Sequence, residues 1–160
     1  MNIRQAEQAE YHEIDALLRQ AFSGSSEEAV LVEKLRSTGA WIREWVLSED
    51  DTILGYIAYT KAFSDSGVHI GSHLAPVAVL PLYQGRGYGT RLITTTLAEI
   101  SARGLPVYVL GDPSYYSRFG FALARGQSCE FDPRGTYFQV LSDAQLPPRA
   151  VKYEDAFYGK

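Results

Sequence analysis

Residues 74 to 93 read LAPVAVLPLYQGRGYGTRLI, and this stretch restricts the fold more than any other part of the chain. An apolar run at Leu74 to Leu80, broken by Pro81, has the character of a strand buried on both faces, which places it in the middle of a sheet. The segment Gln84-Gly85-Arg86-Gly87-Tyr88-Gly89 then strips side chains from alternate positions of a turn. Backbone N–H groups can face outward there. The helix predicted directly behind, with Leu92, Ile93, Leu97 and Ile100 on one side, adds unpaired N–H groups and its positive dipole end. A strand, a bare turn and a helix start together form a site for phosphate oxygens.

The remaining segments predict an α/β chain. Met1 to Arg4 reads as a short strand, and Ala9 to Phe22 carries a helical stripe at Ile14, Leu17, Leu18 and Phe22. Ser26 followed by Glu27 and Glu28 opens a second helix, whose apolar face is read as Val30, Leu31 and Leu35, with Val32 as a further member, and which Gly39 stops. Trp41 to Ser48 and Thr52 to Ala62 are predicted strands joined by a turn at Glu49-Asp50-Asp51. Phe63 to Ser72 reads as a polar loop. After the helix that Gly104 ends come a strand at Val107 to Leu110 and a short helix at Ser114 to Phe119. Further strands are read near Ser128 to Phe131, Thr136 to Leu141 and Ala150 to Tyr153. The order implies a mixed central sheet, antiparallel early and late, with a βαβ crossover in the middle. The 160 residues, 46% hydrophobic, are read as one domain, 1–160.

Composition narrows the function. A net charge of −4 without any basic tract argues against nucleic-acid binding. No run reaches the length of a membrane span, and residues 1–11 lack the apolar core of a signal peptide. The single cysteine, Cys129, can make neither an internal disulfide nor a metal site, which fits a reducing cytoplasm. The three histidines have no metal-ligand spacing, so no metal is expected. Eleven tyrosines lead us to expect several at the rim of a pocket.

Three ligands compete for the glycine turn. A nucleoside triphosphate loop needs a lysine after its last glycine, and here Thr90 and Arg91 follow Gly89. A dinucleotide fingerprint needs a further glycine where Thr90 stands, and the tail is too rich in strands for a second βαβαβ half. Coenzyme A is the third.

The motif Gln84-Gly85-Arg86-Gly87-Tyr88-Gly89 resembles the Q/R-x-x-G-x-G/A signature of the GNAT superfamily of acyl-CoA-dependent N-acyltransferases. Val77-Ala78-Val79, with Pro81 and Tyr83 after it, is similar to that family's fourth strand and its exit. Tyr115-Tyr116-Ser117-Arg118-Phe119-Gly120-Phe121 resembles its aromatic helix ending in Gly-Phe. Leu110-Gly111-Asp112-Pro113-Ser114-Tyr115-Tyr116 and the segment Val151 to Phe157 resemble the YhbS-type subgroup. The likeness covers nearly the whole chain. It implies a GNAT fold with parted central strands, and acetyl-CoA lying between the strand at Leu74 to Leu80 and that at Val107 to Leu110. The pantetheine arm would pair with the backbone of Val77, Ala78 and Val79. The pyrophosphate would rest on N–H groups of Gln84, Gly85, Arg86, Gly87, Tyr88, Gly89 and Thr90. Tyr116 would donate a proton to the leaving thiolate, since a phenol stays protonated at pH 7. Tyr115 and Phe119 are assigned to packing.

No motif identifies a general base. Asp112, His73, Glu44, Glu130 and a water chain all stand as candidates. Asp112 before Pro113 also fits a helix cap. His73 and His69 read as solvated loop-end histidines, His12 as a surface residue, and Glu44 as a salt-bridge partner. The implied reaction is acetyl transfer to the amine of a small molecule or peptide. A noncatalytic acyl-CoA-binding regulatory module on the same fold is the alternative. The acceptor pocket is expected from the first two helices, the Phe63 to Ser72 loop and the late hairpin. A sheet edge near the C-terminus leaves a homodimer open.

Overall fold

The computed structural model describes residues 1–160. Its strands are β1 (Asn2–Gln5), β2 (Ile42–Glu49), β3 (Thr52–Ser64), β4 (His69–Val79), β5 (Val107–Leu110), β6 (Ala122–Leu123), β7 (Gln127–Ser128), β8 (Phe138–Leu141) and β9 (Arg149–Lys152). The helices are α1 (Tyr11–Ala21), α2 (Glu27–Ser37), α3 (Tyr88–Ser101) and the one-turn α4 (Pro113–Tyr116). The strand order is β1-β2-β3-β4-β5-β8-β6, with β9 beside the end of β3 and β7 beside β9. Within the main path only β4 and β5 run parallel, joined by the α3 crossover. No helix is long and apolar enough to cross a membrane.

The period-2 alternation of the long strands sorts the core onto two faces. Trp45, Leu47, Ile57, Tyr59 and Leu74 pack against Leu92, Ile93, Leu97 and Ile100 of α3. Val46, Tyr56, Ala58 and Ala78 turn the other way and meet Ile14, Leu17 and Leu18 of α1 and Ala29 and Val32 of α2. A third cluster, with Tyr108, Phe138, Val151 and Tyr153, covers the end of the sheet with the C-terminal segment.

Of the β-branched run Thr94-Thr95-Thr96 in α3, the first two are exposed and only the third is held by packing and hydrogen bonds. Thr96 is fully buried, donates to the Leu92 carbonyl at 2.7 Å, and shares a 2.9 Å hydrogen bond with the Tyr59 hydroxyl.

Several expectations are corrected. Phe63 to Ser72 is no polar loop: β3 continues to Ser64 and β4 starts at His69, with a tight turn between. The long hairpin satisfies backbone groups that a loop would have exposed to water. The buried face of α2 is Ala29, Val32 and Leu35, while Val30 is 50% exposed. Threefold spacing from Ala29 puts these three on one side, and a larger residue at 30 does not shift that geometry. Ser25, not Ser26, supplies the side-chain cap, accepting from the Glu27 N–H at 3.2 Å.

Candidate functional site

Strands β4 and β5 pair only at Ser72–Val107 and His73–Tyr108, and beyond these residues they diverge. The divergence coincides with a bulge. Against β3, Leu74 faces Tyr59 and Val77 faces Ile57, so Ala75 and Pro76 together oppose the single Ala58. The Ala75–Pro76 peptide is cis. Pro76 also has no N–H to offer a neighbouring strand. Bulges of this kind redirect a strand and end its pairing.

Past the bulge, the register decides which backbone groups are free. The Leu80 N–H donates to the Leu54 carbonyl, and ladder bonds alternate along an antiparallel pair. Ala78 therefore spends its N–H and C=O on β3, whereas those of Val77 and Val79 point into the gap. Val79 O is met there by the Gln84 side-chain amide at 3.0 Å. The sequence motif alone gave no means of separating Ala78 from its neighbours.

The glycine turn divides the same way. Gly85 and Gly87 have φ of 76° and 83°, the left-handed region that glycine enters without strain. Gly87 is the N-cap of α3, and Gly89 already lies in its first turn. From Gly85 through Thr90 no backbone N–H donates to a protein acceptor; the first helical bond runs from Arg91 to Gly87 O at 3.0 Å. The Gln84 N–H instead turns back to Pro81 O at 3.4 Å. The exposed Arg86 places its guanidinium 5.2 Å from the Tyr83 ring centre. A run of free N–H groups on a helix N-terminus is an anion cradle.

A cavity of about 200 Å³ joins the cradle to the gap, lined by Phe22, Val77, Val79, Gln84, Gly89 and Tyr115 among others. Phe22 brings in the end of α1. Tyr115, assigned to packing, does more: its hydroxyl lies 3.0 Å from Thr90 Oγ1 and ties α4 to the start of α3. No sequence spacing links positions 90 and 115, so only the fold reveals this bond. Of the other tyrosines, Tyr83 and Tyr88 flank the glycine turn, while Tyr56, Tyr59, Tyr108 and Tyr153 are buried.

Tyr116 sits on the β5 side of the gap among Tyr115, Phe119 and Phe121. Burial pushes its pKa up to about 12, so the hydroxyl is a protonated donor at neutral pH.

The four side chains considered as bases take unlike positions. Asp112 caps α4, accepting from Ser114 N at 2.9 Å and Ser114 Oγ at 2.8 Å. Glu44 is buried in an ion pair with Arg36 and accepts from the Tyr56 hydroxyl at 2.7 Å. Glu130 is exposed and pairs with Lys152 at 3.2 Å. His73 is not a solvated loop-end residue: it lies inside β4, 3% exposed, stacked on Tyr153 at 3.5 Å and against Phe157 at 4.7 Å. Burial lowers its pKa to about 3, leaving a neutral imidazole with little basicity.

Comparison with known proteins identifies the family in which this parted sheet, strand edge, anion cradle and partly buried phenol occur together here. The family model of the Acetyltransferase (GNAT) domain matches residues 2–124. The uncharacterized N-acetyltransferase YhbS of Escherichia coli (strain K12) is 36% identical over 139 residues, 83% of each chain. The crystal structure of YhbS in complex with CoA superposes with a TM-score of 0.89 at 32% identity, covering 98% of this chain and 91% of the other. A GNAT family acetyltransferase from Brucella melitensis, solved in complex with acetyl-CoA, gives 0.82 at 33% identity, covering 98% and 97%. The mixed sheet, its parted pair of parallel strands and its four helices are the GNAT fold, and the chain belongs to the GNAT N-acetyltransferase family.

Proposed function

We propose that residues 1–160 work as one N-acetyltransferase domain that moves an acetyl group from acetyl-CoA to a primary amine by direct attack in a ternary complex. The observation that carries this reading is the nearness of the gap to the cradle: the unpaired edge of Val77 and the Val79 N–H lie one short turn, Pro81–Tyr83, before the unpaired N–H groups of Gly85 to Thr90. A pantetheine arm can pair with the first while its pyrophosphate rests on the second. That relatives bind CoA and acetyl-CoA supports the ligand.

The attack begins with a neutral amine, whose lone pair forms a bond to the thioester carbonyl carbon. The carbonyl oxygen becomes an oxyanion. Val77 offers the first free N–H beyond Pro76 to stabilise it. Collapse of the tetrahedral adduct breaks the C–S bond, and the sulfur leaves with the proton of the Tyr116 hydroxyl. The nitrogen releases its surplus proton to water, which in turn restores the Tyr116 proton. Holding both reactants in one cleft supplies the remaining acceleration. The acceptor is a small molecule or a peptide amine approaching beside Phe22, and the unpaired buried Cys129 fits a cytoplasmic site of action.

Thiol release from acetyl-CoA, measured against a panel of polyamines, amino acids, amino sugars and peptides, tests the reading. Amine-dependent release is expected. Tight binding of acetyl-CoA with no release for any amine would instead assign a regulatory binding module. Thermal stabilisation by NAD but not by acetyl-CoA would overturn the ligand itself.

A further inference from the structure

The Tyr116 ring lies directly on the backbone of Gly111, the residue after β5. A Cβ at position 111 would stand 2.3 Å from Tyr116 Cε2 and 2.8 Å from Cδ2. No rotamer adjustment of a ring packed among Tyr115, Phe119 and Phe121 relieves an overlap of that size, so any side chain at 111 displaces the phenol. The backbone conformation of Gly111 does not demand glycine, because its φ is not in the left-handed region. Glycine is required here by the ring alone.

Gly111 is itself held from β8. Its N–H donates to Tyr137 O at 3.2 Å. Its carbonyl accepts from Gln139 Nε2 at 3.0 Å, and the same amide nitrogen donates to Tyr137 O at 3.2 Å. Gln139 is 1% exposed and pairs with Val109 on one side and Leu123 on the other. A buried amide with both donors spent on the main chain is a fixed strut. It sets the end of β5 where the chain turns into the Asp112 cap and α4, and so sets the base of the Tyr116 side chain.

We propose that Gly111 and Gln139 are positioning residues for Tyr116: Gln139 anchors the Gly111 carbonyl, and the bare Cα of Gly111 seats the ring so that its hydroxyl meets the CoA sulfur. Neither residue touches the reacting atoms. The inference rests on the assignment of Tyr116 as donor to the leaving sulfur. It adds a residue on β8, distant in sequence, to the machinery of thiolate release.

The test needs no acceptor. CoA and desulfo-CoA are titrated calorimetrically at alkaline pH, where part of the CoA thiol is ionised, into the wild type, Tyr116→Phe, Gly111→Ala, the double variant and Gln139→Met. A hydrogen bond to the sulfur gives the wild type a preference for CoA of about tenfold. Tyr116→Phe brings the ratio near one, Gly111→Ala does the same, and the double variant shows no further loss. Desulfo-CoA affinity stays within about twofold throughout, which general damage to the fold would not permit. Gln139→Met, checked for a cooperative thermal transition, loses most of the preference and decides the matter if Gly111→Ala does not fold. A wild-type ratio in Gly111→Ala, or in Gln139→Met where the former is unfolded, overturns the inference while leaving Tyr116 in place. A wild-type ratio in Tyr116→Phe overturns the Tyr116 assignment and this inference with it.

Discussion

The hydroxyl of Tyr115 lies 3.0 Å from Thr90 Oγ1, and this bond joins α3 to α4 across the mouth of the gap between β4 and β5. One partner stands in the first turn of the helix behind the glycine cradle and the other beside the partly buried phenol of Tyr116. Whatever lies between the diverging strands is therefore bounded by a bond linking its two walls. The ring of Tyr115 is also placed by Arg118, whose guanidinium sits 4.5 Å from its centre and whose Nε donates to the Tyr115 carbonyl at 2.9 Å.

Breaking that bond should loosen the cleft from either side. Tyr115→Phe and Thr90→Val are each expected to weaken acetyl-CoA binding by a few-fold. The double variant should be no weaker than either single one, with a coupling energy of about 1 kcal/mol. Isothermal titration of the four proteins with acetyl-CoA measures it; strictly additive losses would show that the two hydroxyls act separately.

Tyr116→Phe removes the hydroxyl and keeps the ring. Turnover should fall by about a hundredfold, as for loss of a general acid, while KM for acetyl-CoA stays near its wild-type value. Because burial holds the phenol up to about 12, the activity of the wild type should show no loss from Tyr116 ionisation below about pH 11. Full activity in a purified, folded Phe variant contradicts the role.

Within the cradle, two glycines should respond for different reasons. Gly87→Ala forces a φ of 83° on an L-residue and should cost about 1–2 kcal/mol of stability. At Gly89 the added Cβ would sit 3.7 Å from Tyr115 Oη and 3.8 Å from Val79 Cγ2, ordinary contacts inside the cavity wall. Gly89→Ala should fold as well as the wild type yet bind acetyl-CoA more weakly. Denaturant unfolding and ligand titration on both variants separate strain from obstruction.

His73 makes stability fall in mild acid. Below its ordinary value of 6.5 the unfolded chain takes up a proton that the folded chain refuses until about pH 3. The unfolded state thus binds more protons in that window, and stability is lost as pH falls through it. At pH 5 the loss relative to pH 8 from this residue alone is about 2 kcal/mol. His73→Gln should flatten the difference between urea midpoints at the two pH values, even if it lowers both.

Glu44, Arg36 and Tyr56 form a buried network beneath the Tyr11 ring, over which the Arg36 guanidinium lies 3.6 Å from the centre. Glu44→Ala leaves a largely buried cation and a buried phenol without their acceptor and should cost about 3 kcal/mol. Catalytic rates at temperatures where the variant stays folded should be unchanged, since none of the three reaches the gap. A drop in turnover without a drop in stability would return Glu44 to the candidate bases.

The outline of the fold was legible because its signals are local. The alternation in β2 and β3, the stripe of α3 and the glycine turn all depend on residues within a few positions of each other. Errors arose where a neighbour in space outweighed local character. Phe63 to Ser72 looks polar enough for a loop, yet His69 to Ser72 pairs with β3 and Ser64 with β9. His73 looks solvated from its polar neighbours, but Tyr153 and Phe157 arrive from the far end of the chain to cover it.

The sequence by itself determined the order of the four helices and of strands β1 to β5, the central βαβ unit among them, since hydrophobic period and glycine placement are properties of short stretches; it missed β6 and misplaced β7, which are two residues long. Only the tertiary structure decided which of Val77, Ala78 and Val79 have free backbone edges, because that follows from pairing with β3. It also decided that Tyr115 reaches Thr90 and that Gln139 holds Gly111. These contacts join positions 25 and 28 residues apart in the chain. Their geometry is fixed by strand order and packing, which no local pattern encodes.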